Sequence, residues 1–169
     1  KPLIESIKSS SVIALANKEC IVSAGSLIKK LSKQNNCNII PVDSEHNAIY
    51  QILDGKSIKD VSKIFLTASG GPFFNFSKED LKNITPQQAI NHPIWKMGKK
   101  ISVDSATLMN KGLEIIEAHH LFEIPSDRIE VIIHRQSIIH GLVLMKNGSL
   151  FGHFGKPSML NPIDHALSW

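Results

Sequence analysis

Short apolar runs that alternate with longer amphipathic stretches constrain this 169-residue chain more than any other feature. The runs are SVIALA (11–16), NIIPV (38–42), KIFLTA (63–68), KKISV (99–103) and IEVIIH (129–134), each of strand length. Between the first two, Ile21, Leu27, Ile28 and Leu31 recur at helical spacing within 21–34, with lysines on the other side. A longer helix is predicted over 105–122, lined by Leu108, Ile115, Ile116 and Leu121 and stopping before Pro125. GLVLMKNGSLFGHF (141–154) predicts a hairpin turning at Asn147-Gly148, a pair that type I′ turns favour. Strand and helix in alternation point to an α/β (α+β-like) class, a mixed β-sheet packed with helices.

With 42% hydrophobic and 20% charged residues, the chain suits one compact domain spanning 1–169. The net charge of +4 favours anionic small molecules as readily as nucleic acid. Aromatics are sparse and no basic stretch is interleaved with them, so no nucleic-acid partner is expected. Cys20 and Cys37 have no paired or zinc-type spacing, which makes a reducing compartment the default. Apolar runs as short as 12–16 cannot span a bilayer, and no membrane partner is expected. KPLIESIKSS reads like the middle of a helix and HALSW reads as cut, so the expectation is the central domain of a larger protein.

PVDSEHNA (41–48) places Asp43 and Glu45 around Ser44 at the end of an apolar run. Asp43 or Ser44 can cap the helix that follows, with Glu45 favoured in its first turn. Alternatively the two carboxylates hold a hard divalent ion, Mg²⁺ or Mn²⁺, which takes oxygen ligands and keeps positions open for substrate. Glu114 or Glu117 on 105–122 would supply a third oxygen, and the spacing leaves open which one points inward. TASGGPF (67–73) is either a plain turn or an anion site made by Ser69 and the bared N–H groups of Gly70 and Gly71. NHPIWKMGKK (91–100) reads as a loop carrying His92, Trp95 and Met97, suited to closing over a substrate or to lying on the surface. Lys18 at the end of the first strand is either solvated or set against a negative substrate. His119, His120, His134 and His140 lack metalloprotease spacing and read as structural or surface residues.

Taken together, ALANKE, PVDSEHNAI, SGGPF, HPIWKMGKKISVDSATLMNKGLE and IIHRQSIIHGLV resemble the central domain of the 1-deoxy-D-xylulose 5-phosphate reductoisomerase family. The likeness runs in order through nearly all 169 residues, and its longest motif exceeds twenty residues. It implies a metal-dependent, NADPH-dependent reductive isomerisation that yields 2-C-methyl-D-erythritol 4-phosphate in non-mevalonate isoprenoid biosynthesis. By the same resemblance, Asp43, Glu45 and Glu114 hold Mn²⁺ or Mg²⁺, and Lys18, Glu45 and His92 are catalytic. Ser44, Ser69, Ser105, Asn110 and Lys111 join Lys18, Glu45, His92 and Glu114 around the phosphosugar. Asn17, Glu19 and Gly98 meet NADPH, most of which is held by a domain outside this sequence. Trp95 and Met97 form an active-site flap, while Ser137 and Met159 lie near cofactor and flap.

A homodimer is implied as well, in the cytoplasm of a bacterium or in a plastid-type organelle of a eukaryote. Cys20, Arg135 and Ser158 depart from the Ser, Pro and acidic residue usual in the family. None of them touches the implied metal set. Two other readings keep the fold without turnover: a metal- and phosphosugar-binding module, and a dimerisation domain with a decayed site.

Overall fold

The computed structural model describes residues 1–91 and 98–169. The first half runs α1 (Pro2–Ser9), β1 (Val12–Leu15), α2 (Lys18–Gln34), β2 (Asn38–Pro41), α3 (Ser44–Ile52) and β3 (Val61–Ala68). After two short helices, α4 (Lys78–Leu81) and α5 (Pro86–Ala89), come α6 (Lys99–Ala106) and α7 (Met109–Phe122). The chain then adds β4 (Ile129–Ile133), β5 (Ile139–Met145), β6 (Leu150–Phe154) and α8 (Leu160–Leu167). Strands β1 and β2 pair in parallel. The other four form a mixed sheet in the order β4-β3-β5-β6, with β3 parallel to β4 and antiparallel to β5.

Period-two alternation explains why one face of this sheet is dry. Ile64 and Leu66 of β3 and Val143 of β5 are fully buried, and they pack on Ile49 and Ile52 of α3 and Ala118 and Phe122 of α7. Each such side chain contributes about 1.5–3 kcal/mol by leaving water. A second cluster joins Ile7, Ile21, Ile28, Cys37 and Ile39, and Leu121 of α7 touches both clusters. Helix α7 is therefore the element on which both halves of the core rest. Among the described residues no helix is long and apolar enough to cross a membrane.

Three expectations are corrected. KKISV is not a strand but the start of α6, where Ser102 N–H donates to the Gly98 carbonyl and Ser102 is buried. Ile101 and Val103 suggested alternation, yet helical packing against α7 overrides that weak local preference. The helix expected over 105–122 is two helices, separated at Leu108, whose φ of 60° is left-handed. The hairpin does turn near Asn147-Gly148, but the N–H of Gly148 donates to the Met145 carbonyl and only Gly148 has positive φ. That is a turn centred on Lys146-Asn147 with glycine at its left-handed exit, not type I′.

Helices α2 and α7 cross closely at Gly25, where a Cβ would stand 2.3 Å from the His120 ring. Gly25→Ala should therefore overpack the crossing and lower stability by about 1–3 kcal/mol in urea denaturation. Unchanged stability would mean that the crossing is loose.

Candidate active site

A cavity of about 340 Å³ is lined by the β1–α2 turn, the start of α3, the end of β3, helix α6 and the α6–α7 break, with the entry to β5 and Met159 completing the wall. Asp43 is the N-cap of α3, and its Oδ1 accepts from the backbone N–H of Glu45 and of His46 at 3.2 and 3.4 Å. Its Oδ2 faces the other way, 2.5 Å from Lys18 Nζ. The cap and the metal-type reading of this motif are thus compatible, because each carboxylate oxygen serves one of them.

Of the two acids on α7, Glu114 is the one whose carboxylate meets both Asp43 and Glu45. It is fully buried, and its carboxylate, with those of Asp43 and Glu45, brings three oxygens within 4.8 Å of one another. Glu117 is buried too, but it points to Asp43 and His46 instead. Lys18 Nζ lies 3.2 Å from Glu114 Oε1 and 3.0 Å from Asn110 Oδ1. Lys111 Nζ donates to Glu114 Oε2 at 2.6 Å and sits 3.0 Å from Glu45 Oε1. Asn110 Nδ2 donates to Glu114 Oε1 at 2.5 Å, and Ser44 Oγ to Glu45 Oε2 at 2.8 Å.

Burial and charge work against each other here. Burial, followed by the nearby Glu114 charge, pushes Glu45 up to about 7. Burial would also raise Asp43, but Lys18 and His46 hold its carboxyl well below the usual range. For both lysines, burial favours the neutral amine and the carboxylates overcome it: Asp43 and Glu114 raise Lys18, Glu114 and Glu45 raise Lys111. The donors are three hard carboxylate oxygens at a cavity wall, which fits Mg²⁺ or Mn²⁺ and not a soft metal.

The cavity lining beside the carboxylates also offers groups that suit an anion. Ser69 ends β3, Ser105 lies in the last turn of α6, and Asn110 and Lys111 open α7; all four line the cavity. The left-handed residue Leu108 breaks the chain between α6 and α7, and Ser105, Leu108, Asn110 and Lys111 around the break all line the cavity. Gly71, at φ 69°, makes the approach possible, since a Cβ there would stand 2.7 Å from the Ser105 carbonyl oxygen. Arg135 donates to the Gly71 carbonyl at 3.4 Å and covers the Phe74 ring, bracing the same loop from outside.

Of the positions assigned to cofactor, Gly98 lines the cavity, while Asn17 and Glu19 are exposed at the start of α2. Glu19 accepts from Lys100 Nζ at 2.8 Å, which lowers its carboxyl. Ser137 and Met159 line the cavity, and Ser137 is buried with φ 52°. His92, Trp95 and Met97, and with them the expected flap, lie outside the described residues. His119 hydrogen-bonds the Ile124 carbonyl at 2.7 Å, away from the cavity, whereas His140, which hydrogen-bonds the carbonyls of Gly155 and Lys156, also lines it. Sequence reasoning missed His46, Thr67 and His140 at or behind the wall. Of these only His46 left a signal, three residues past Asp43 and therefore on the same side of the helix.

A sequence profile described as the 1-deoxy-D-xylulose 5-phosphate reductoisomerase C-terminal domain matches residues 39–122. The 1-deoxy-D-xylulose 5-phosphate reductoisomerase of Wolbachia pipientis subsp. Culex pipiens (strain wPip) is 58% identical over 170 residues, covering 100% of this chain and 43% of the relative. That of Acetivibrio thermocellus is 55% identical, covering 99% of this chain and 44% of the relative. The chain thus spans less than half the length of the curated relatives it matches. A crystal structure of DOX-P reductoisomerase with NADPH, fosmidomycin and magnesium superposes with a TM-score of 0.92 at 43% identity, over 99% of this chain and 43% of the other. The Zymomonas mobilis enzyme with NADPH gives 0.91 at 45%, over 99% and 43%.

The three-carboxylate cage generates a direct expectation. Titrated with Mn²⁺ and followed by electron paramagnetic resonance of the free ion, the chain should bind one ion. Glu114→Gln should weaken that binding by more than about 100-fold, beyond the cost of losing a supporting residue. Equal binding by both proteins would remove Glu114 from the ligand set.

Proposed function

Because this chain belongs to the 1-deoxy-D-xylulose 5-phosphate reductoisomerase family, we propose that it forms the metal- and phosphosugar-binding part of an NADPH-dependent reductoisomerase. The reaction is the conversion of 1-deoxy-D-xylulose 5-phosphate to 2-C-methyl-D-erythritol 4-phosphate. One observation carries the reading: the oxygens of Asp43, Glu45 and Glu114, drawn from two helices, meet within 4.8 Å at the wall of a cavity of sugar-phosphate size.

These three carboxylates would hold Mg²⁺ or Mn²⁺, which when bound polarises a ketone and stabilises charge developing on the substrate oxygens. Lys18 and Lys111 pair with the carboxylates, so their ammonium groups stand at the cavity wall beside the cage. Lys18 then donates to a sugar oxygen, with Ser44 and Glu45 beside it as hydroxyl partners. Lys111, Asn110, Ser69 and Ser105 take the phosphate, anchoring the end of the sugar that does not react. His92, Trp95 and Met97 are assigned to closing the site and excluding water. Asn17, Glu19 and Gly98, on the rim, would meet the nicotinamide end of NADPH, the source of hydride.

A homodimer belongs to the same proposal. The sheet face turned away from α3 and α7 carries Phe65, Leu142, Leu144, Leu150 and Phe154, of which Leu150 and Phe154 are 58% and 64% exposed. A second copy would cover this apolar face. Sedimentation should give a dimer for the chain and a monomer for Phe154→Glu; a monomer in both removes this face as the interface.

Calorimetric titration with 1-deoxy-D-xylulose 5-phosphate tests the main reading. Binding should require Mg²⁺, and Lys111→Ala should weaken it about 10–100-fold, the loss of a charged hydrogen bond. Binding that ignores both magnesium and Lys111 would overturn the assignment. Binding without NADPH oxidation under any condition would instead favour the non-catalytic module.

A further inference from the structure

Asp43 serves two groups, and one of them lies behind the cavity wall. Its Oδ1 is 2.8 Å from Nδ1 of His46, a residue with no solvent exposure. The other ring nitrogen, Nε2, is 2.9 Å from the backbone oxygen of Glu114. A carbonyl oxygen can only accept, so Nε2 carries a proton and donates it there. His46 therefore ties the side chain of one cage carboxylate to the backbone of another, across α3 and α7. Its ring also lies nearly parallel to Phe122, 6.3 Å away at 10°, which restricts the ring plane.

Glu117 completes this arrangement. It is 1% exposed, lies one helical turn beyond Glu114, and its Oε2 stands 3.5 Å from His46 Nδ1. That oxygen has no hydrogen-bond partner among the described residues. The charges that act on Glu117 are those of His46, Asp43, Lys18 and Glu114, all of them in the cage or directly behind it. A buried carboxylate oxygen without a full partner is destabilising, so what it faces deserves a reason. What it faces is the nitrogen that meets Asp43.

We propose that Glu117 and His46 act as a buried positioning pair: Glu117 orients the His46 ring, and His46 holds Asp43 and the Glu114 turn in cation-binding geometry. This rests on the reading of Asp43, Glu45 and Glu114 as the cage. Neither residue lines the cavity. Paired in this way, an outer carboxylate and a histidine fix an inner ligand and raise its affinity for a cation.

Mn²⁺ affinity, measured on the purified chain by calorimetry and electron paramagnetic resonance, tests the pair separately from turnover. Glu117→Gln and His46→Gln should each weaken binding about 10–100-fold. The double variant should bind no more weakly than the worse single one, since the two residues work as a unit. Glu117→Asp, which keeps the charge, should recover most of what Glu117→Gln loses, and it decides the matter should His46→Gln fail to fold. A merely structural role would lower the melting temperature and leave Mn²⁺ affinity unmoved, which overturns the proposal. Additive losses overturn it as well, and so does a stoichiometry of two ions, which would make His46 itself a ligand. Glu114→Gln run alongside separates the two levels: if it binds like the parent chain the cage itself fails, whereas its loss beside a normal Glu117→Gln removes only the positioning pair.

Discussion

The carboxylate of Glu114, fully buried between two ammonium groups, is the interaction around which this molecule is arranged. A charge in that position is tolerated only if it is surrounded by opposite charge and hydrogen bonds, and removing one partner of such a pair costs about 3–5 kcal/mol. Lys18 comes from the turn after β1, Lys111 from the α6–α7 junction, and Asp43 and Glu45 from the start of α3. Satisfying one acid thus forces three separate segments to meet. The apolar clusters on either side of α7 supply the energy that holds them there.

The route from backbone to site passes through a few conformational exceptions. Leu108 in the left-handed region separates α6 from α7 and swings Asn110 and Lys111 into the cavity. Gly71, also left-handed, lets the end of β3 lie against the carbonyl of Ser105. Strained or glycine-dependent positions of this kind are costly unless something else requires them, and here they bring the anion corner together.

Much of this was legible in the sequence, for identifiable reasons. Strand β3 and helices α2, α3 and α7 were legible from apolar residues that burial holds in place, whereas β4 is an apolar run largely exposed in the structure, and Leu27 and Ile116 are exposed as well. Asp43 and Glu45 stood out because two acids at a strand end are unusual. KKISV misled because alternating Ile101 and Val103 satisfy a strand pattern as well as a half-exposed helix does. The break at Leu108 was invisible, since leucine carries no local signal for positive φ. Between Glu114 and Glu117, spacing alone could not choose, and the structure uses both, one at the wall and one behind it. His46 left a local signal only of its side, three residues past Asp43, because its contact with the Glu114 carbonyl of α7 is a long-range fact that no local window contains.

The lysines in the cage carry one more consequence. Since Lys18 and Lys111 already offset most of the charge of Asp43, Glu45 and Glu114, assembling the fold does not wait for a cation. On the proposed reading of the three carboxylates, folding and ion uptake would then be separate events, and a chelator would leave the domain folded. A bound ion adds stability only by mass action, in proportion to the logarithm of its free concentration.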